Sequence, residues 1–315
     1  MNPRRRAAVC LTVTLFTVTL AALAQAAAFG GWTAATSVEA TPGTSPALNT
    51  SALEGCPSVA KDDTSLYFAS TRAGGLGGLD IWVSTRSDAD AGWGAPVNLG
   101  APVNTAADEF CPTPLRNGHG FLFVSTKPGG CGGADMYATR RHVKRGWADP
   151  ENLGCRLNSA ADEASPFLVG DELWFSSTRA GGFSAEPAGA IAGDSDLYVA
   201  SVANDDGAVS GPILAPDVNT AQSEARPNLR RDGRELFFDS NRPGGLGLFD
   251  LWSSVRDADG SWSAPHNLGA TVNSAAGETR PSLSWDGTAL YFGSTRAGGE
   301  GSSDLYLTTR DRRLP

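Results

Sequence analysis

Ser70-Thr71-Arg72-Ala73-Gly74-Gly75, followed shortly by Asp80-Ile81-Trp82, is the first of five copies of one motif, S-[TN]-[RK]-x-G-G…D-[ILM]-[WY]. The other four copies run from Ser125 to Tyr137, from Ser177 to Tyr198, from Ser240 to Trp252 and from Ser294 to Tyr306. The copies recur about every 55 residues. A period of this length with strand-like contents is typical of a β-propeller or a solenoid.

Each repeat contains four strand candidates. The first follows an N-[ST]-x-x-x-E-x-x-P segment, as from Asn104 to Pro112. A turn with Gly or Asp leads to the second, an aromatic run such as Leu66-Tyr67-Phe68. These runs lack polar alternation, which is expected for a sheet covered on both faces by neighbouring blades. The Gly-Gly turn then leads to the third strand at the Asp-[ILM]-[WY] end of the motif.

The fourth strand candidate is a Trp-x-x-Pro segment, such as Trp93 to Pro96, and it follows only four of the five third strands. The residues from Gly31-Trp32-Thr33 onward match this segment. We therefore predict that the N-terminal strand completes the last blade, which closes the ring and leaves no sheet edge exposed. The predicted fold is an all-β, five-bladed propeller of four-stranded antiparallel blades over residues 29–315.

The S-x-R-x-G-G…D-[IL]-[WY] repeat with its Asp-Gly turn resembles the WD-repeat-like β-propellers of the periplasmic TolB-like proteins. The resemblance covers essentially everything after residue 28. It implies a propeller fold, but it does not choose a function, because propellers of this type bind, scaffold or catalyse.

Residues 1–28 have the features of a secretory signal peptide. Arg4, Arg5 and Arg6 precede an apolar stretch from Ala7 to Ala24, and Ala24-Gln25-Ala26 matches an A-x-A cleavage pattern. A single-pass membrane anchor is the alternative interpretation. Cleavage predicts a periplasmic or secreted protein with no membrane span in its mature form.

The net charge limits which partners we expect, and the cysteine content bears on the cellular compartment. Loss of the three arginines changes the formal net charge from −9 to −12, which argues against a nucleic-acid partner. Export places the remaining four cysteines where disulfides form, and three pairings are possible. We predict Cys131–Cys155, because both map to one face of blade two, with Cys56–Cys111 as the complementary pair.

Five glutamates occupy the same repeat position, where the innermost strand begins. They are Glu54, Glu109, Glu163, Glu224 and Glu278. We expect them around one mouth of the central channel, where they need partners to remain ionised. Each could hold its own Asn-containing loop, or together they could bind a ligand or a cation such as calcium. Identical residues in every blade favour a folding role over catalysis.

Two residues beyond each glutamate the blades differ. These positions hold Cys56, Cys111, Ser165, Arg226 and Arg280. Regular alternation would put them on the same side as the glutamates. Arg226 and Arg280 are candidates for a clamp on a carboxylate, phosphate or sulfate, with neutralisation of Glu224 or Glu278 as the alternative. The long loop from Phe183 to Asp194 would flank the same face.

The chain has no G-x-S-x-G element, phosphate loop or dinucleotide fingerprint, and its three histidines lack zinc-ligand spacing. Our leading hypothesis is a monomeric, non-catalytic propeller without a cofactor that binds an envelope or extracellular protein or a glycan on the glutamate-bearing face. The alternative is a glycosidase-like enzyme, since five-bladed propellers resemble the scaffold of several glycosidase families. Its candidate carboxylates would be Glu109, Glu163 and Glu224. A purely structural interaction module is a third hypothesis.

Overall fold

The computed structural model describes residues 29–183, 194–202, 210–215 and 217–313, and folds them into a five-bladed β-propeller. The predicted signal peptide and most of the long loop of blade three lie outside the described residues. The described part contains one short 3-10 helix, Val38–Ala40. The fold class predicted from the repeats is therefore confirmed.

Each blade is an antiparallel sheet whose strands follow one another outward from the channel. Blade one contains β2 (Glu54–Val59), β3 (Ser65–Ser70), β4 (Asp80–Thr85) and β5 (Val97–Asn98). Blade two contains β6 (Glu109–Pro114), β7 (Gly120–Ser125), β8 (Asp135–His142) and β10 (Glu151–Asn152), with the short β9 (Gly146–Trp147) also paired to β8. Blade three contains β11 (Glu163–Val169), β12 (Glu172–Ser177), β13 (Asp196–Ser201) and β14 (Ile213–Leu214). Blade four contains β15 (Glu224–Leu229), β16 (Glu235–Ser240), β17 (Asp250–Val255) and β18 (His266–Asn267).

Blade five is completed from the other end of the chain, as predicted. It contains β19 (Glu278–Leu283), β20 (Ala289–Ser294), β21 (Asp304–Thr309) and the N-terminal β1 (Thr36–Ser37). Strand β1 pairs antiparallel with β21, and the Thr33 amide donates to the Thr309 carbonyl at 2.8 Å. The Trp32 ring lies edge-on to Phe237 of blade four, with 5.9 Å between ring centroids. The N-terminal segment thus closes the ring.

The outermost strands begin slightly later than the Trp-x-x-Pro segments predicted. In blade one, Gly94 still bonds to β4, through its amide to the Thr85 carbonyl at 2.9 Å, but regular pairing starts at Val97. Pro96 lies between them and has no amide hydrogen, so the ladder resumes only after it.

The innermost strands are interrupted by a β-bulge in every blade. In β15 the register with β16 shifts between Ala225 and Asn228, and Arg226 adopts a φ of 58°. The same positive φ occurs at the equivalent residue of all five blades: Cys56, Cys111, Ser165, Arg226 and Arg280. The expectation that these residues share a side with the glutamates assumed regular alternation, and it is wrong because the bulge breaks that alternation.

The second strands form the packing layer between blades. Their central aromatic residues are fully buried, and five of them are Phe68, Phe123, Phe175, Phe238 and Phe292. Aromatic contacts also cross the blade boundaries. Trp174 of blade three meets Trp262 of blade four at 5.6 Å between centroids. Burial on both faces explains why these strands lack the alternation of a half-exposed sheet.

Candidate functional site

The Gly-Gly turn explains why the repeated motif combines two glycines with an aspartate. The carboxylate of Asp80 accepts hydrogen bonds from the amides of Leu76 and Gly77, at 2.7 and 3.3 Å. A Cβ on Gly75 would overlap this carboxylate, and Gly74 has a φ of 95°. The two glycines therefore let the aspartate side chain bond the backbone of its own turn. This gives the repeated Asp a structural role.

The glutamates are fully buried, and blade three illustrates their environment. Glu163 accepts from the hydroxyl of Ser159 at 2.6 Å, its amide at 2.8 Å and the hydroxyl of Ser177 at 2.8 Å. Arg179 pairs with the same carboxylate at 3.0 Å. The equivalent Ser or Thr contacts are made by all five carboxylates: Glu54, Glu109, Glu163, Glu224 and Glu278. All five have 0% exposure.

The asparagine of the same segment joins each blade to the one before it. Asn158 accepts from the Met136 amide at 2.9 Å and donates to the Met136 carbonyl at 3.1 Å, so it bonds β8 of the preceding blade on both sides. The N-[ST]-x-x-x-E segment is thus a connector between blades. The hydrogen bonds match the alternative in which each glutamate holds its own loop. None of the five glutamates is among the described residues that line the channel cavities.

The residues two positions beyond the glutamates line the channel instead. Cys56 and Cys111 form a disulfide that joins the innermost strands of blades one and two. The second predicted disulfide, Cys131–Cys155, is also present and ties the Gly-Gly loop of blade two to the connection that leaves it. Both predicted pairings are confirmed.

Arg226 and Arg280 meet around a carboxylate that sequence reasoning missed. The Arg226 guanidinium pairs with Asp239 at 2.5 Å, and the Arg280 amide donates to the other oxygen of Asp239 at 2.9 Å. The expected neutralisation of Glu224 and Glu278 is instead supplied by Arg242 and Arg296, at 3.0 and 3.2 Å. That alternative for Arg226 and Arg280 is therefore wrong.

Asp239 could have been found by the same rule that singled out the arginines. The residue before the motif serine is Asp239 in blade four, whereas the other blades have Ala69, Val124, Ser176 and Gly293 there. Asp239 is fully buried. Burial raises its pKa against the opposing charges of Arg226 and Arg280. Two cations and one anion leave this level of the channel with a surplus positive charge.

A small cavity of about 30 Å³ adjoins this cluster, and Arg226, Arg280 and Ser165 are among its lining residues. The cavity continues along the channel into a larger one of about 120 Å³ at the opposite mouth from the glutamates. Phe167 and Asn228 line both cavities. The larger cavity lies where the innermost strands end.

Five residues that differ from blade to blade form a ring around this mouth. Each lies seven residues beyond the glutamate of its own blade. The ring consists of Lys61, Arg116, Gly170, Arg231 and Trp285, and all five line the larger cavity. The three cations are exposed, and Trp285 is half-buried with the Lys61 amine 5.8 Å from its ring centroid. No carboxylate is among the described residues lining the cavity. Sequence reasoning missed this ring because it followed the glutamate face only.

Within the described residues, no group of three or more His, Cys, Asp or Glu side chains is arranged to hold a metal ion. A membrane-spanning helix of sufficient length and apolarity is likewise not found in that part of the chain.

Comparisons with solved structures find proteins with a similar fold at low sequence identity. An endo-arabinase from Bacteroides thetaiotaomicron has a TM-score of 0.55 at 15% identity, with 85% of this chain and 98% of that chain covered. An alpha-L-arabinofuranosidase from Podospora anserina, in complex with cellotriose, has a TM-score of 0.54 at 13% identity, covering 90% and 98%. TolB from Acinetobacter baumannii has a TM-score of 0.47 at 13% identity, covering 81% of this chain.

The chain spans 53% of the length of that TolB chain. At these identities the similarity concerns the fold alone. No protein-family model matches the sequence. No curated protein matches it either.

Proposed function

We propose that this protein is an exported, non-catalytic binding propeller that recognises an acidic glycan at the channel mouth opposite the glutamates. The observation that carries the proposal is the cavity of about 120 Å³ lined by Trp285 and three cationic side chains. An aromatic face beside a few well-placed polar groups is the usual composition of a small-molecule or sugar site. The proposed binding surface therefore lies at the opposite end of the channel from the glutamate-bearing face, where the sequence analysis expected it.

The lining chemistry favours an anionic partner. Arg116 and Arg231 can each form bidentate hydrogen bonds with a carboxylate, and Lys61 supplies a third positive charge beside the Trp285 ring. The formal charge of the chain is −9, so this mouth is a local exception on an acidic protein. The flat half-buried indole offers a surface on which the apolar face of a sugar ring can stack.

The environments of the glutamates support a non-catalytic role. A general acid and a nucleophile need unlike surroundings, so that their pKa values differ. Glu109, Glu163 and Glu224 instead have the same Ser or Thr partners and no exposed surface. Export is supported by the two disulfides, which are typical of oxidising compartments, and we propose a periplasmic or secreted location.

Calorimetric titration with oligogalacturonides tests the proposal, with neutral arabinan oligosaccharides as the comparison ligand. We expect acidic oligosaccharides to bind and the affinity to fall as salt is added. Replacement of Trp285→Ala, or of Arg116→Ala together with Arg231→Ala, should weaken binding by about tenfold or more, since each removes about 1.4 kcal/mol or more of contact energy.

The matched control is Arg140→Ala, which removes an exposed arginine from β8 outside the cavity. It should bind as the wild type does. Binding that is unchanged in both mouth variants would reject the site, and release of reducing ends from the oligosaccharides would reject the non-catalytic part. Capture of a protein through the same mouth residues would replace the glycan as partner.

A further inference from the structure

The bulge residues of the innermost strands form a layer of the channel in which the described residues do not fully neutralise the positive charge of Arg226 and Arg280. Arg226 and Arg280 share a single carboxylate, Asp239, and Asp239 bonds to Arg280 only through the backbone amide. Within the described residues, the Arg280 guanidinium makes one hydrogen bond, a long one of 3.3 Å to the hydroxyl of Thr279. Burial and the nearby Arg226 lower the pKa of Arg280 to about 9, against the opposing charge of Asp239.

A second, independent observation points to the same place. The Ser165 side chain is only 9% exposed, and its hydroxyl is a buried group without a hydrogen-bond partner among the described residues. An unsatisfied buried hydroxyl costs free energy, so we expect a partner for it other than the described residues. Ser165 lines the same cavity of about 30 Å³ as Arg226 and Arg280.

We propose that this cavity is a binding site for one halide-sized inorganic anion, held by the guanidinium groups of Arg226 and Arg280 and by the hydroxyl of Ser165. The donors are all of the kind that an anion accepts from. The volume has room for about one or two water molecules, which suits chloride better than a polyatomic oxyanion. No carboxylate lines the cavity among the described residues, and the neighbouring carboxylate of Asp239 is already bonded to Arg226 and to the Arg280 amide.

The position explains what the ion does. The three proposed ligands of the anion come from the innermost strands of blades three, four and five, which contribute Ser165, Arg226 and Arg280 respectively. A bound anion would therefore link three innermost strands across the channel. It would enter from the larger mouth cavity, because Phe167 and Asn228 line both spaces. The site is distinct from the glycan site and does not depend on it.

The decisive experiment is crystallisation in sodium bromide with anomalous diffraction recorded at the bromine edge. We expect one anomalous peak between Arg280 and Ser165 in the wild type and no peak in Arg280→Met, which keeps the bulk of the side chain but removes its charge. Lys144→Met, a change at an exposed turn, should keep the peak. Well-ordered wild-type crystals with water alone in the cavity would overturn the proposal.

Thermal unfolding provides a second measurement, made in solution rather than in a crystal. At constant ionic strength, replacing gluconate by chloride should raise the Tm, by about 2–4 °C for each tenfold rise in chloride above its Kd. The rise should be absent from Arg280→Met and present in Lys144→Met. Equal Tm values in the two salts, or the same chloride response in Arg280→Met, would count against the site.

Discussion

At the scale of single residues, the glutamates hold the connections between blades. Glu163 combines three hydrogen bonds from Ser159 and Ser177 with the charge of Arg179, all without exposure to solvent. A buried carboxylate in water-free surroundings is tolerable only when it is bonded in this way. The recurrence of the arrangement solves the same folding problem in each blade.

The first prediction concerns this carboxylate. Glu163→Gln keeps the size of the side chain but removes its charge, so it should lower the free energy of unfolding by about 2 kcal/mol, because a charge-assisted network is lost. Urea unfolding measures the loss. Glu151→Gln, at an exposed position, should change stability by less than about 0.5 kcal/mol. A Glu163→Gln protein with wild-type stability would contradict the structural role.

At the scale of the blade, one repeat departs from the shared design. The arginine of the motif reaches both the buried glutamate and a backbone carbonyl, as Arg179 does with Leu157 at 2.7 Å. Blade two has Lys127 instead, whose amine lies 4.1 Å from the centroid of the Tyr137 ring. Burial lowers the pKa of Lys127, and the charge of Glu109 opposes this. A lysine lacks the planar guanidinium that bonds the glutamate and the carbonyl together.

The second prediction follows from this difference. Lys127→Arg should raise the free energy of unfolding by about 1 kcal/mol, because the guanidinium can bond both Glu109 and the Val103 carbonyl. Thermal unfolding of the variant beside the wild type checks it. The reciprocal change, Arg179→Lys in blade three, should cost a similar amount. A loss of stability in Lys127→Arg would show that blade two is packed for lysine.

At the scale of the whole molecule, stability depends on a ring closed by non-covalent contacts between the chain ends. Strand β1 supplies only two paired residues, and the Trp32 ring packs against Phe237 with the Arg310 guanidinium 4.4 Å from its centroid. Without this segment β21 would present an unpaired edge.

The third prediction tests the closure. Trp32→Ala should lower the free energy of unfolding by about 2 kcal/mol, less than a fully buried tryptophan would cost, because Trp32 is only partly buried. Thermal unfolding measures it. Trp285→Ala, which removes an indole of similar partial burial from the channel mouth, is the matched control and should lower the Tm by less, because Trp285 does not take part in closing the ring. Equal losses in the two variants would argue against a special role for the N-terminal segment.

The fourth prediction concerns the covalent links. Cys56→Ala together with Cys111→Ala opens a bridge of sequence separation 55 and should cost about 4 kcal/mol, whereas loss of Cys131–Cys155, with separation 24, should cost about 3.5 kcal/mol. Denaturant unfolding of the two double variants gives both values. Thiol titration of the denatured, unreduced protein lacking residues 1–28 should find no free cysteine. Four free thiols would refute both bridges.

The five blades, their closure by residues near Trp32 and the two disulfides were all predictable from the amino-acid sequence. Each depends on a local pattern that recurs with a fixed period, and a departure in one copy can be read against the others. The pairing of Arg226 with Asp239, the burial of the glutamates and the cavity beside Trp285 were not predictable in this way. They depend on the bulge in each innermost strand, which breaks the alternation of side chains, and on the packing of different blades around one axis, which brings together residues that no local pattern relates.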